Sequence, residues 1–199
     1  MSANRFPLST DTPTVQQFNG QLGGAANVWQ AADAALTRPN NTTAYAANGA
    51  LGSASSAVFR FGAFFRVAGS SGLLTGARLI ASVTGIATSN MGSITVHLFN
   101  ASPAAAIAAA AGGLLADQST FNTMLADDSA KLGTISFSTW AIGGGTSNLI
   151  ESYGSPALAP LPIMAARGAQ ELYAVPVATA AFTPAALQEI QLYLAAVLD

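Results

Sequence analysis

Residues 94–99 read ITVHLF, and this stretch decides the fold class. Ile94, Val96 and Leu98 alternate with side chains that point the other way, and a period of two is typical of a strand with one face in a core. Residues 100–103 read NASP and end the strand, since proline has no N–H to donate to a neighbouring strand. The sequence on either side therefore has to supply partner strands.

Partner strands are predicted on both sides of this stretch. They are rich in β-branched or aromatic residues and are separated by Gly, Pro, Asn and Ser. The predicted segments are residues 58–61 and 64–67 with a bend at Gly62, then 77–83, 132–140, 171–179 and 188–198. Pro176 predicts that the strand over 171–179 is an edge or bulged strand. A helix is the rival interpretation of 188–198, because Ala, Leu and Gln are good helix formers.

Helix is expected to be scarce. A short helix is predicted over residues 28–36. Residues 117–125 are compatible with either a second short helix, with Asp117 placed as its N-cap, or an ordered crossing. The Ala/Gly-rich tract at 104–115 is compatible with either helix or loop. Short strands without regular helices between them predict an all-β fold, an antiparallel β-sandwich of jelly-roll-like type.

The first 50 residues differ in composition from the rest. They are rich in Asn, Thr, Ser, Ala and Gly and show no sustained period, so they have little apolar area to bury. We predict an extended N-terminal arm over residues 1–50 that becomes ordered on a neighbour, and a sandwich domain over residues 51–199. Trp29 and Tyr45 lie in this arm without a local core. We therefore predict that they anchor the chain on a partner, since Trp and Tyr dominate interface energetics.

Charge is scarce throughout the chain. Charged residues make up 8% of it and the net charge is −2, against about 25% charged residues in an ordinary domain. This composition favours a component of an assembly, because charge keeps free proteins apart. No acidic residue lies between Asp33 and Asp117. Arg38, within that gap, is either an ordinary surface arginine or a contact to an acidic partner.

The same composition argues against several function classes. No basic stripe is present, so nucleic acid is not an expected partner. The chain has no run of about 20 strongly apolar residues and no secretory signal at its start, so no membrane partner is expected. There is no cysteine, which excludes disulfides, thiol catalysis and thiolate zinc sites.

No motif predicts catalysis, a cofactor or a metal. His97 is the only histidine and no G-x-S-x-G sequence is present, so a structural histidine is predicted. Asp117, Asp127 and Asp128 could together bind a hard cation, but they lack EF-hand spacing. The glycine run at 143–145 lacks the lysine of a phosphate-binding loop. We expect a protein that is not an enzyme and that needs no cofactor.

Several segments carry a family resemblance when taken in order. They are TRP at 37–39, TTAYAA at 42–47, GARL at 76–79, HLFNASP at 97–103, AD at 126–127, LG at 132–133, LYA at 172–174 and AFTPA at 181–185. Over roughly residues 37–199 the chain resembles a family of tailed-bacteriophage and prophage proteins in which such segments recur in this order. The long Ala-rich tract at 104–116 and the irregular segment at 156–162 depart from that pattern.

The resemblance implies a structural role in a virion. It implies a capsid decoration (cement) protein on the outside of the phage head, assembled in the bacterial cytoplasm, with the major capsid protein as partner and no catalytic residues. A homo-oligomer, a dimer or trimer, is expected, and Trp29, Arg38 and Tyr45 are the predicted partner-binding residues.

Two other functions compete with decoration. A fibre-base or host-glycan-binding module of the virion would be supported by an exposed cluster of Trp and Tyr on a shallow β face. A small hydrolase would require His97, a serine and an aspartate within hydrogen-bond reach.

Overall fold

The computed structural model describes residues 27–83, 86–142, 149–156 and 160–198. Residues 1–26 of the predicted arm and the glycine run at 143–145 lie outside the described residues. Eleven strands are described: β1 Asn27–Ala31, β2 Leu36–Thr37, β3 Phe59–Phe61, β4 Ser71–Ser82, β5 Ile94–Phe99, β6 Lys131–Phe137, β7 Ala141–Ile142, β8 Leu149–Pro156, β9 Leu161–Met164, β10 Leu172–Ala178 and β11 Glu189–Leu198.

Helix is limited to short pieces within the described residues. They are the α-helix α1 Ala104–Ala109 and three 3₁₀ turns, η1 Thr88–Asn90, η2 Ala111–Gly113 and η3 Leu125–Ala130. None of these helices has the length and apolar character needed to cross a membrane. The expectation of an all-β fold with little helix is confirmed.

The strands form two sheets joined at one side. Every described pairing is antiparallel, and the strand order is β1-β11-β4-β8-β6-β5-β10-β3, with β2 also on β11, β7 on β8 and β9 on β4. We call the sheet built on β1, β11, β4 and β8 the first sheet, and the sheet of β6, β5, β10 and β3 the second. They join where Ile135 of β6 pairs with Pro156 of β8, so the sandwich closes almost into a barrel.

Alternation along β5 positions the main core. Ile94, Val96 and Leu98 are fully buried and belong to the cluster between the two sheets, as their spacing predicts. Phe99 is also buried, but it faces a second cluster on the outer side of the second sheet. The four phenylalanines at 59, 61, 64 and 65 are each 1% exposed and lie in the main core.

The Ala-rich tract covers the outer side of the second sheet. Ala106 and Ala110 pack with Leu115 and Phe121 over side chains of β5 and β10. Both carboxylate oxygens of Asp127 accept hydrogen bonds at the start of α1, from Ala105 N at 3.0 Å and Ala106 N at 2.7 Å. The second sheet is thus covered on both sides by this chain.

Residues 27–50 differ from the expectation of an arm. β1 pairs with β11 along its whole length, and β2 pairs with the start of β11. Ala50 bridges to Val177. The helix predicted over residues 28–36 is wrong, because the backbone of this segment bonds to β11 instead. Residues 27–50 of the predicted arm are therefore part of the sandwich, and residue 50 is not a boundary between an arm and a domain.

Two smaller predictions are also corrected. β10 lies between β5 and β3 and is not an edge strand. Pro176 is tolerated because β3 pairs only with residues 172–174 of β10 and so needs no N–H from residue 176. The Pro176 carbonyl, which proline retains, accepts a hydrogen bond from Leu51 N at 2.9 Å. No helix follows Asp117 directly; its carboxylate has other partners, described below.

Candidate binding face

Two of the three predicted partner-binding residues are buried inside the folded protein. Arg38 and Tyr45 are each 1% exposed and meet Asp117, and we call these three residues the Arg38 cluster. Arg38 Nη2 donates to Asp117 Oδ2 at 3.0 Å, and Arg38 Nε lies 2.6 Å from the Tyr45 hydroxyl. Tyr45 donates to Asp117, and Gly52 N donates to the same carboxylate at 3.1 Å.

The cluster joins segments that are far apart in the sequence. Arg38 Nη1 donates to the Ala185 carbonyl at 2.7 Å, and the Tyr45 ring stacks on Phe182 with centroids 4.8 Å apart. Three of the segments that carry the family resemblance, at 37–39, 42–47 and 181–185, therefore meet here. Burial and the hydrogen bond to Asp117 raise the pKa of Tyr45, so the phenol stays protonated.

These contacts correct the interpretation of Arg38 and Tyr45. Arg38 is not a surface arginine, because Asp117 neutralises it inside the protein. Tyr45 does have a core, which Phe182 supplies from a distant part of the chain. The partner contact predicted for each of them remains a prediction, and neither side chain is on the described surface.

Trp29, in contrast, lies on the surface. It is 50% exposed on the outer side of the first sheet, opposite Ala195 of β11, which in turn pairs with Gly76 of β4. The adjacent row across the sheet consists of Tyr193, Arg78 and Tyr153, from β11, β4 and β8. Trp29 and this row surround a depression of about 440 Å³, which we call the aromatic depression.

Arg78, at the centre of this row, contacts the tyrosine on each side of it. The Arg78 guanidinium carbon lies 5.7 Å from the Tyr153 ring centroid and 5.8 Å from that of Tyr193, close enough for a cation–π contact with both rings. Arg78 Nε also donates to Glu151 Oε2 at 2.7 Å. The ion pair leaves the depression with no formal net charge.

An apolar groove lies further along the same face. Leu73 of β4 pairs with Val197 of β11 on one side and with Pro162 of β9 on the other. Together with Met164 and Leu132 they line a groove of about 670 Å³, the apolar groove. Leu73 is 41% exposed and Met164 is 57% exposed.

The two outer sides of the sandwich thus differ. The second sheet is covered by α1 and the loops around it. On the outer side of the first sheet, the aromatic depression and the apolar groove expose Trp29, Tyr153, Leu73 and Met164 to solvent. We call this outer side of the first sheet the open face.

The residues considered for catalysis do not assemble in the described chain. His97 lies against Phe121 with ring centroids 4.9 Å apart, and its buried Nδ1 has no hydrogen-bond partner among the described residues. Burial and the positive charge of Lys131 lower its pKa to about 4. Asp117 and Asp127 have separate structural partners, and no group of three metal-ligating side chains is found in the part of the chain that the structure describes.

Comparison with protein-family models, with curated proteins and with solved structures gave no match. Statements about function therefore depend on the geometry of this chain.

Sequence reasoning identified one of the four residues around the aromatic depression. Trp29 stood out because it is a large aromatic in a segment poor in apolar side chains. Arg78, Tyr153 and Tyr193 carried no such signal, since only the register of β4, β8 and β11 brings them into one row.

Proposed function

We propose that this chain is a structural protein of a tailed-phage virion, a decoration (cement) protein that binds the outside of the head and stabilises contacts between major capsid subunits. The observation that carries the proposal is the open face. Four of the nine large apolar side chains that are exposed among the described residues lie there, in a chain whose charged content is only 8%. Large exposed apolar patches mark interaction surfaces.

The apolar groove is the part of the open face best suited to attachment. Burying apolar surface contributes about 25 cal/mol per Å², and this contribution needs no charged partner. Asn27 at the start of β1 pairs with Val197 in the groove. The first described residue therefore lies beside the groove, and the predicted arm includes residues 1–26. Ordering of these residues on a neighbouring subunit, and a dimer or trimer, belong to the same proposal.

The test is occupancy of purified heads by matched variants. Met164→Asp places a charge in the apolar groove, and Leu125→Asp places the same charge on η3, where Leu125 is 90% exposed. We expect Met164→Asp to lower occupancy about tenfold or more, a change that corresponds to 1.4 kcal/mol, and Leu125→Asp to leave it unchanged. Thermal melts establish that both variants fold.

Equal occupancy for both variants would show that the groove is not the attachment surface. A cryo-electron-microscopy map of virions gives the location independently. Density bridging major capsid subunits supports decoration, whereas density confined to the tail or a fibre base moves the function to the second candidate. Absence of the chain from virions contradicts both.

The second candidate is a fibre-base or host-glycan-binding module. The specific observation in its favour is the aromatic depression, since a Trp and Tyr cluster on a shallow β face is what such a module needs. Trp29 and Tyr153 are exposed there, and Tyr193 beside them is partly buried. The two functions use different parts of the open face and are separable by substitution.

A further inference from the structure

We propose that the aromatic depression is a binding site for a neutral saccharide of one or two sugar rings. The inference rests on the second candidate function and not on attachment to a head. Trp29, Tyr193, Arg78 and Tyr153 line the depression, and its volume of about 440 Å³ lies in the lower part of the range that small-molecule sites span.

Small residues lie next to Trp29 in its own row across the sheet. Trp29 lies opposite Ala195, and Ala195 lies opposite Gly76, so two neighbouring positions carry almost no side chain. A Cβ placed on Gly76 would meet one atom within 4 Å, the Gly154 carbonyl oxygen at 3.9 Å. The packing of the chain does not require glycine at this position. A larger residue at position 76 would fit the fold and add side-chain volume on the open face, two residues before Arg78 on β4.

The walls present aromatic rings in fixed positions. Trp29 is 50% and Tyr153 is 64% exposed, so parts of both side chains are open to solvent. Arg78 contacts the rings of Tyr153 and Tyr193 from between them. Aromatic side chains have an apolar body and a polar end. Their faces suit the C–H side of a sugar ring, and the tyrosine hydroxyls suit its O–H groups.

The charge of the site selects the ligand class. Arg78 and Glu151 form an ion pair whose side chains are 32% and 20% exposed, so the polar groups at the rim have no net charge. A phosphate or a polyanion would require an unpaired cation, and single-stranded nucleic acid would require a positive groove beside the aromatic residues. A purely apolar ligand would remove water from the ion pair without offering it hydrogen bonds in return. A ligand with uncharged hydroxyl groups avoids all of these difficulties.

The test combines a microarray of neutral and anionic glycans with calorimetric titration of the sugars it selects. We expect at least one neutral mono- or disaccharide to bind, with an affinity that does not change with salt. Tyr153→Ala removes a wall of the depression, and Gly76→Val adds volume near Arg78 while it introduces a strand-favouring residue. We expect each to weaken binding about tenfold or more. Met164→Asp, in the apolar groove, is the matched control and should bind the sugar like the unmodified chain.

Other results would overturn the proposal. They are the absence of binding by any neutral saccharide at millimolar concentration, unchanged binding in Tyr153→Ala, and a preference for anionic glycans that salt abolishes. Loss of head occupancy in Gly76→Val without any saccharide binding would assign the depression to a protein partner instead, since Trp, Tyr and Arg also dominate protein interfaces. Head occupancy of Met164→Asp tests decoration separately, so either proposal can fail alone.

Discussion

Replacing Arg38 by methionine tests whether the Arg38 cluster holds the sandwich together. The arginine side chain is 0% and the Asp117 side chain 3% exposed, so water can replace very little of what is lost. Arg38→Met keeps much of the side-chain volume and removes the cation. The Asp117 carboxylate then keeps only its hydrogen bonds from Tyr45 and Gly52 N.

The expected cost is large because one charge stays buried without its partner. Removing one member of a buried ion pair costs about 3–5 kcal/mol, a substantial part of the roughly 5–15 kcal/mol that stabilises a typical protein. At about 2–4 °C per kcal/mol for a chain of this size, the melting temperature should fall by roughly 6–20 °C. A double variant, Arg38→Met with Asp117→Leu, should recover much of this loss, because no charge is then left unpaired.

Urea unfolding and calorimetry measure the effect, with Arg60→Met as the matched control. Arg60 also forms ion pairs, with Asp33 and Glu171, but its side chain is 55% exposed, so its loss should leave the melting temperature almost unchanged. If Arg38→Met and Arg60→Met melt together, or if the double variant is less stable than Arg38→Met, the cluster does not stabilise the fold in the way argued here.

Three further predictions concern single side chains. The folded state raises the pKa of Tyr45, so stability is complete below the ordinary tyrosine pKa of about 10 and falls as pH rises above it; Tyr45→Phe should remove this alkaline loss in urea titrations at several pH values. The pKa of His97 is lowered to about 4, so the free energy of unfolding should fall as pH drops from about 6.5 to 4, by about 3 kcal/mol at most. If the stability of a His97→Gln variant depends on pH in the same way, His97 is not the cause. Asp127→Ala should cost about 1–2 kcal/mol in urea unfolding, since two N–H groups of α1 lose their acceptor; an unchanged midpoint would mean that water replaces the carboxylate.

The sequence predicted those strands in which successive side chains lie alternately in the core and outside it. Along β5 and β11 alternate side chains face the core, so the pattern is visible in a short window. β1 and β2 could not be found in this way, because their backbones are bonded to a strand more than a hundred residues later.

The candidate site was predictable only where one residue was unusual by itself. Trp29 met that condition. Arg38 and Tyr45 were assigned to the surface because their partners, Asp117 and Phe182, are distant in the sequence. The absence of acidic residues between Asp33 and Asp117 was the available clue, since it left a buried Arg38 with either Asp33 or a carboxylate far along the chain as its counter-charge.

The position of β11 in the sheet has a consequence for how the chain folds while it is being synthesised on the ribosome. β11 is the last described strand to be synthesised, yet it separates β1 and β2 from β4. From the emergence of β4 until that of β11, roughly ten seconds at ordinary elongation rates, one edge of β4 has no partner. Unpaired strand edges promote aggregation, so we expect the nascent chain to be most prone to aggregation before β11 has been synthesised.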